Sequence, residues 1–292
     1  MSGSFNSPIP VQSLSIGNVV SAALRLYRSH LKRYLGIALK ASLWALIPIY
    51  GWAKSYLLNA TISRLAYQEL INQPESVTEA QDQNHRKFWG FWLAQFIVGL
   101  ILFGVNMGVS IVQSIVLATL SAILGSGGQE SSGFGVLIVS LINLLLIFLG
   151  YAVYLWFFAR IFFPELPLSI EDEIDASESI SRSWELTKRN VFRLQLIIVV
   201  SLLITLPLYL VAVVPFFVSI GYFSSVAIAS ATAITSSDIT SIFTGLAFMG
   251  LALLLFLLVN FLMAPFWQAL KAVIYYDLRS REEGLDLQLN DR

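Results

Sequence analysis

Four long apolar runs dominate the pattern of this chain, at residues 92–124, 134–163, about 194–219 and about 241–272. Each exceeds the ~18 consecutive apolar residues that a membrane-crossing helix requires. The first would be about 50 Å long as a helix, against a hydrocarbon core of ~30 Å, so it must tilt, bend or protrude. Pro207, Pro215 and Pro265 are expected kinks. Gly104 and Gly108 form a small-residue face suited to close helix contact. Gln95, Asn106, Gln113, Asn143 and Asn260 are the polar interruptions, of the kind that hydrogen-bond between helices.

Between these runs the pattern changes to one apolar face per helical turn. Ile16, Val20, Leu24, Tyr27, Leu31 and Tyr34 are spaced four, four, three, four and three, with Arg25, Arg28, Lys32 and Arg33 off that stripe. A basic amphipathic helix of this kind lies at a membrane surface, and the same cations also serve as a stop signal flanking a span. A second such helix follows Gln73-Pro74: Ser76 and Glu79 have capping-box spacing, and His85, Arg86 and Lys87 end it before the aromatic belt Phe88, Trp89 and Trp92. The third occupies the connection from Arg160 to Ile197. Asp175 and Glu178 repeat the capping spacing, and Ile180, Trp184, Val191 and Leu194 share a face. Glu178–Arg182 and Glu185–Arg189 are spaced for ion pairs, and Lys188, Arg189 and Arg193 supply the positive charge. Residues 34–71 are ambiguous between one continuous span and a short hairpin turning at 49–52. Lys40, Lys54 and Arg64 make either reading atypical.

A shift of 160 residues overlays Leu26 on Leu186, Arg28 on Lys188, Leu31 on Val191, Arg33 on Arg193 and Ile37 on Ile197. The reading is therefore an all-α, polytopic membrane bundle of about six spans: three hairpins, each preceded by an amphipathic interfacial helix. Five spans follow if 34–71 crosses once. The units are about 15–72, 73–165 and 166–280, between a disordered lead-in (1–14) and a polar tail (281–292). Composition agrees: 57% of the residues are hydrophobic and 12% charged, too few charges for a soluble surface of 292 residues. The net charge of zero conceals segregation, with no Lys or Arg between Phe88 and Ala159 or between Leu194 and Leu270. Basic clusters on one side of the membrane require an even number of crossings between them, which puts both termini in the cytoplasm. The first residues, without a basic region or apolar run, do not read as a signal peptide.

The segment RIFFPELPLSIEDEIDASESISRSWELTKRNVFRL, the ending AVIYYDLRSREEGLDLQL and the opening IGNVVSAALRLYRSHLKRYLGI resemble a bacterial membrane-domain family. That family is named after glycerophosphoryl diester phosphodiesterase, and the first hairpin has a cyanobacterial look. The resemblance implies an interfacial helix, several spans and a Tyr-Tyr-Asp-Leu-Arg exit, in a bacterial inner or thylakoid membrane. Some members carry a soluble phosphodiesterase barrel. Only a short tail follows Ala272 here, so the activity in the family's name is not carried over.

Catalytic chemistry has few candidates. There is no Cys, which removes disulfides, thiolate metal sites and a Cys nucleophile. His30 and His85 lie among cations and read as surface residues, and no zincin, Walker or nucleophile-elbow motif occurs. The carboxylate run 171–173 reads as a solvated linker. The expectation is a protein without enzymatic activity, cofactor, metal or nucleic-acid partner. Its lipid-surface residues are Arg25, Arg28, Lys32, Arg33, Lys188, Arg189 and Arg193, facing anionic headgroups; the protein partner is left open. An alternative is a transporter or channel for a lipid-like or weakly polar solute, with the amides lining its path. Lys40, Lys54 and Arg64 mark the best place for an anionic ligand. Arg160 and Asp277, each ending an apolar run among aromatics, are matched as an ion pair joining the second and third hairpins.

Overall fold

The computed structural model describes residues 15–125, 133–229 and 236–290, with side chains described over 15–123, 135–226 and 239–281. Residues 1–14, 126–132, 230–235 and 291–292 and the side chains beyond 281 lie outside that description. Among the described residues there are ten helices and no strand. In chain order they are α1 (Ile16–Ser29), α2 (Leu31–Ala45), α3 (Tyr50–Leu70), α4 (Val77–His85), α5 (Phe88–Gly125), α6 (Gly133–Arg160), α7 (Glu165–Ile170), α8 (Ala176–Thr187), α9 (Val191–Ala229) and α10 (Ser236–Asn290). They divide into two compact units, Met1–Phe88 with Leu196–Arg292, and Trp89–Gln195.

Four stretches are long and apolar enough to cross a membrane: Phe88–Ile123, Gly135–Ile170, Val191–Val226 and Ile239–Arg281. The helices run unbroken through Pro207, Pro215 and Pro265. Residues 221–229, which could have formed a separate peripheral helix, simply continue α9. There Ser224 and Ser225 return their hydroxyls to the carbonyls of Gly221 and Tyr222.

The offset of 160 residues is present in the backbone. The single face expected from Ile16 to Tyr34 is interrupted at His30, where α1 stops and α2 begins at Leu31; α9 begins at Val191, 160 positions later. In both places the first helical bond skips back over the break, Tyr34 N–H to His30 O and Leu194 N–H to Asn190 O, each 3.0 Å. A third break, between α4 and α5, puts Phe88 in the same role. Counting from these starts, Tyr34, Phe91 and Leu194 are all buried, as are Ile37, Ala94 and Ile197. Before the breaks, Ala23, Ala80 and Ser183 correspond and have no exposed surface. A small side chain at that point lets another segment pass close by.

Both expected capping boxes form. Ser76 Oγ accepts from Glu79 N–H (3.2 Å) and Ser76 N–H donates to Glu79 Oε2 (3.0 Å). Asp175 and Glu178 exchange the same two bonds at 2.8 and 3.1 Å. Each pair satisfies two of the donors left over at a helix start.

In the first unit, α3 is enclosed by α2, α4 and the part of α10 beyond Pro265. Three of its polar side chains are matched there: Ser63 Oγ donates to Gln268 Oε1 (2.7 Å), Asn84 Nδ2 donates to Thr61 Oγ1 (3.2 Å), and Arg279 reaches the Tyr67 hydroxyl (3.4 Å), whereas Asn59 Oδ1 and Gln68 Oε1 are buried without a hydrogen-bond partner among the described residues. Tyr27 donates to the Leu262 carbonyl (3.0 Å), tying α1 to α10. In the second unit Val98, Ile161 and Ile180 form a core with Ile101 and Trp184 around it. There α5 and α6 run antiparallel: Gln113 Nε2 donates to Asn143 Oδ1 (2.9 Å), and Gly150 lies against Val109.

Candidate functional site

The expected lipid-surface cations divide into two groups. Arg25, Arg28 and Lys32, at the end of α1 and start of α2, are exposed, as are Lys188 and Arg189 in the turn between α8 and α9. None of these five has an ion-pair partner among the described residues. Arg33 and Arg193 are half-buried, and Arg33 donates to the Glu75 carbonyl. That bond makes it a clamp on the connection between α3 and α4 instead of a free surface charge.

The apolar face of α1 does not lie open for a membrane to cover. Val19, Val20, Ala23 and Leu26 are buried in the protein. On α8, Ala176, Ile180, Ser183 and Leu186 are buried likewise. Periodicity shows that a helix has an apolar face but not what covers it. Here protein covers it and leaves the charged face for solvent or headgroups.

The expected pairs on α8 do not form. Glu178 caps the helix start, and Arg182 instead approaches Glu171 (3.7 Å) and Glu185 (3.8 Å). Arg64 is also removed as an anion-binding group. Its Nε and Nη2 meet both oxygens of Glu75 at 2.8 and 3.2 Å, with the side chains 12% and 15% exposed. Such a bidentate pair is a structural latch, and sequence distance concealed it because Glu75 follows a Pro break. His30 Nε2 lies 3.7 Å from Glu69, and the His85 ring stacks on Phe88 at 5.7 Å.

Arg160 and Asp277 fall in different compact units, and each is held within its own. The Arg160 guanidinium carbon sits 5.0 Å from the Trp156 ring and 4.8 Å from the Trp184 ring, and Nη1 donates to the Trp184 carbonyl (3.2 Å). Its own carbonyl accepts from Ser183 Oγ (3.2 Å). Two π faces hold the charge of this guanidinium where α6 gives way to the connection. Asp277, 7% exposed, accepts from Arg281 Nε at 3.1 Å, one turn along α10.

On α5 and α6 an open groove of about 470 Å³ is lined by Asn106, Ser110, Gln113, Tyr151 and Tyr154 among apolar side chains. Its polar groups stand within the apolar stretches, and Gln113 is bonded to Asn143. Gly104 and Gly108, expected to receive a neighbouring helix, face open space. The close helix contact is made at Gly150.

Glu79 lies in the first turn of α4, outside the apolar stretches. Hydrogen bonds from the Ser76 backbone and hydroxyl hold it below the usual carboxylate range. Burial pushes the Tyr34 phenol well up. Among the described residues no three His, Asp or Glu side chains gather as a metal site would need. No protein-family model, curated protein or solved structure matches the chain.

Proposed function

We propose that this chain is an integral membrane protein without enzymatic activity, whose basic helix breaks hold the anionic cytoplasmic face of a bacterial inner or thylakoid membrane. It would act as an assembly or lipid-handling factor. The observation that carries the reading is the set of exposed cations Arg25, Arg28, Lys32, Lys188 and Arg189, without an ion-pair partner among the described residues, at two breaks of the same design. Each cation near an anionic surface contributes about 1 kcal/mol, and salt weakens the attraction within a Debye length. With the apolar faces of α1 and α8 packed inside the protein, the contact is electrostatic. An even number of crossings keeps these breaks and both termini on the cytoplasmic side, as the excess of Lys and Arg there favours. The proposed arrangement pairs α5 with α6 and α9 with α10 as crossing hairpins, with α2–α3 as the corresponding element of the first repeat.

The test is the full chain reconstituted in bilayers of phosphatidylcholine with and without phosphatidylglycerol. Changing Arg25, Arg28, Lys32, Lys188 and Arg189 together to Gln should abolish the preference for phosphatidylglycerol and its salt dependence. A variant that kept both would refute the reading. The groove lined by Asn106, Ser110, Gln113, Tyr151 and Tyr154 favours a second reading, passage of a weakly polar or lipid-like solute. Solute flux into proteoliposomes that Asn106→Leu suppresses would establish it.

A further inference from the structure

The connection between α2 and α3, residues 46–49, is apolar on its outside. Leu43, Leu46, Ile47, Ile49, Tyr50 and Trp52 are all more than 45% exposed, on both sides of the turn. Ile49 adopts φ 60°, a left-handed conformation that an aqueous turn assigns to Gly or Asn. Inside the turn some of the polar groups are matched. Trp52 Nε1 donates to the Ala45 carbonyl (3.1 Å), Ile47 N–H to the Trp44 carbonyl (2.9 Å), and the Trp44 and Tyr50 rings meet edge to face at 5.7 Å. A turn with aliphatic and aromatic side chains outside is suited to the boundary between headgroups and acyl chains.

Its reach is limited. Helix α2 has 15 residues, about 22 Å, and falls short of the ~17 residues needed to cross. Lys40 is exposed on α2, five positions before its last residue Ala45, so only about 8 Å of helix separates an ammonium from the start of the tip. Lys54, half-buried on the other arm, is long enough to snorkel. Arg64, Glu69 and Glu75 lie further from the tip, in their ion pairs. The tip also touches the start of a spanning helix: the Tyr50 ring is 5.3 Å from Phe88, the first residue of α5, just before Trp89 and Trp92.

We propose that the α2–α3 tip is a membrane wedge, entering the cytoplasmic leaflet to the boundary between headgroups and acyl chains without crossing. The chain then crosses four times, and its hold on the membrane has an apolar component that the basic breaks do not supply. Because the chain has no Cys, single Leu46→Cys and Ile47→Cys variants of the full protein can each carry a nitroxide; two positions guard against one that fails to fold. In reconstituted phosphatidylcholine bilayers the expected result is high collision with oxygen, low collision with an aqueous nickel chelate, and no reaction with an impermeant thiol reagent from outside. Neutral lipid is chosen because the wedge predicts insertion there, whereas the charge reading concerns anionic lipid alone. Labelling from outside would mean that the hairpin crosses. High nickel collision would put the tip in water. Low collision with both probes would mean that protein, for example a second copy, covers it. Each of these three results overturns the proposal.

Discussion

Helix α3 carries Lys54, Asn59, Arg64 and Glu69 within 21 residues, yet it buries twelve of them on all sides. Helix α5 has no charged residue in 38, and the most apolar window of its span has no buried residue. In a protein surrounded only by water the assignments would be reversed. The inversion follows from the solvent. Hydrocarbon accepts Leu, Ile and Phe as readily as a protein core does, so an apolar helix has no need of protein neighbours, whereas a helix with polar groups must have each one matched. In this chain the apolar runs therefore mark the helices that protein leaves uncovered, and the enclosed helix is the one that carries polar groups.

The largest expected effect tests the enclosed region. Arg64→Ala leaves the Glu75 carboxylate largely buried without its partner, and should cost about 3 kcal/mol, read as a lower thermal midpoint in detergent. Replacing both residues by apolar ones should recover much of the loss. Next come the glycines, which contrast the regions directly. A Cβ at Gly51 would fall on the Trp44 carbonyl and on Ile47, so Gly51→Ala should destabilise by about 1–3 kcal/mol. On α5 a Cβ at Gly104 meets nothing, and Gly104→Ala should be neutral or stabilise by up to about 1 kcal/mol. Equal losses at the two sites would contradict the comparison. A smaller effect is expected at the end of α6. Arg160→Met removes a guanidinium from between two tryptophans and should cost about 1–2 kcal/mol, whereas Trp156→Leu and Trp184→Leu should each remove part of that amount.

The smallest effect concerns pH. The Glu79 carboxyl has a lowered pKa in the folded chain, so its contribution is fully present above the ordinary carboxylate value of about 4.3 and is lost as pH falls through the lower, folded value. Amide exchange at the start of α4 should accelerate over that acidic range, and Glu79→Gln should flatten the dependence.

Much of this was legible in the residues. Apolar runs located the four long helices, and Ser76–Glu79 and Asp175–Glu178 marked helix starts because a capping box depends only on residues three apart. The overlay by 160 predicted the register of two breaks, although the His30 break itself was hidden under an apolar period that continues across it. What sequence could not supply was the occupant of each face. The stripe on α1 looked ready for a membrane and packs on α10, more than 200 residues away. Arg64 looked free and meets Glu75. Arg160 was matched to a carboxylate on charge alone, and the rings of Trp156, one turn before it, and Trp184, across the connection, were not read as its neighbours. The turn at 46–49 replaced the expected 49–52, since Gly51 serves close packing inside α3 and Ile49 takes the left-handed conformation. In each case the deciding contact is non-local, or is a backbone geometry to which residue type is a poor guide.

The most direct measurement of the central claim, that the apolar helices cross and the basic breaks stay together on one side, is thiol labelling in right-side-out vesicles. Ser179 is fully buried and its hydroxyl is bonded to the Ala176 carbonyl, so a cysteine there would be silent whatever the topology. The exposed Ser181 on the same helix is the proper reporter. Single cysteines at Ser131 and Ser237 should react with an impermeant maleimide added outside, and one at Ser181 only after the vesicles are opened. Labelling of Ser181 from outside, with Ser131 and Ser237 protected until opening, would contradict the account.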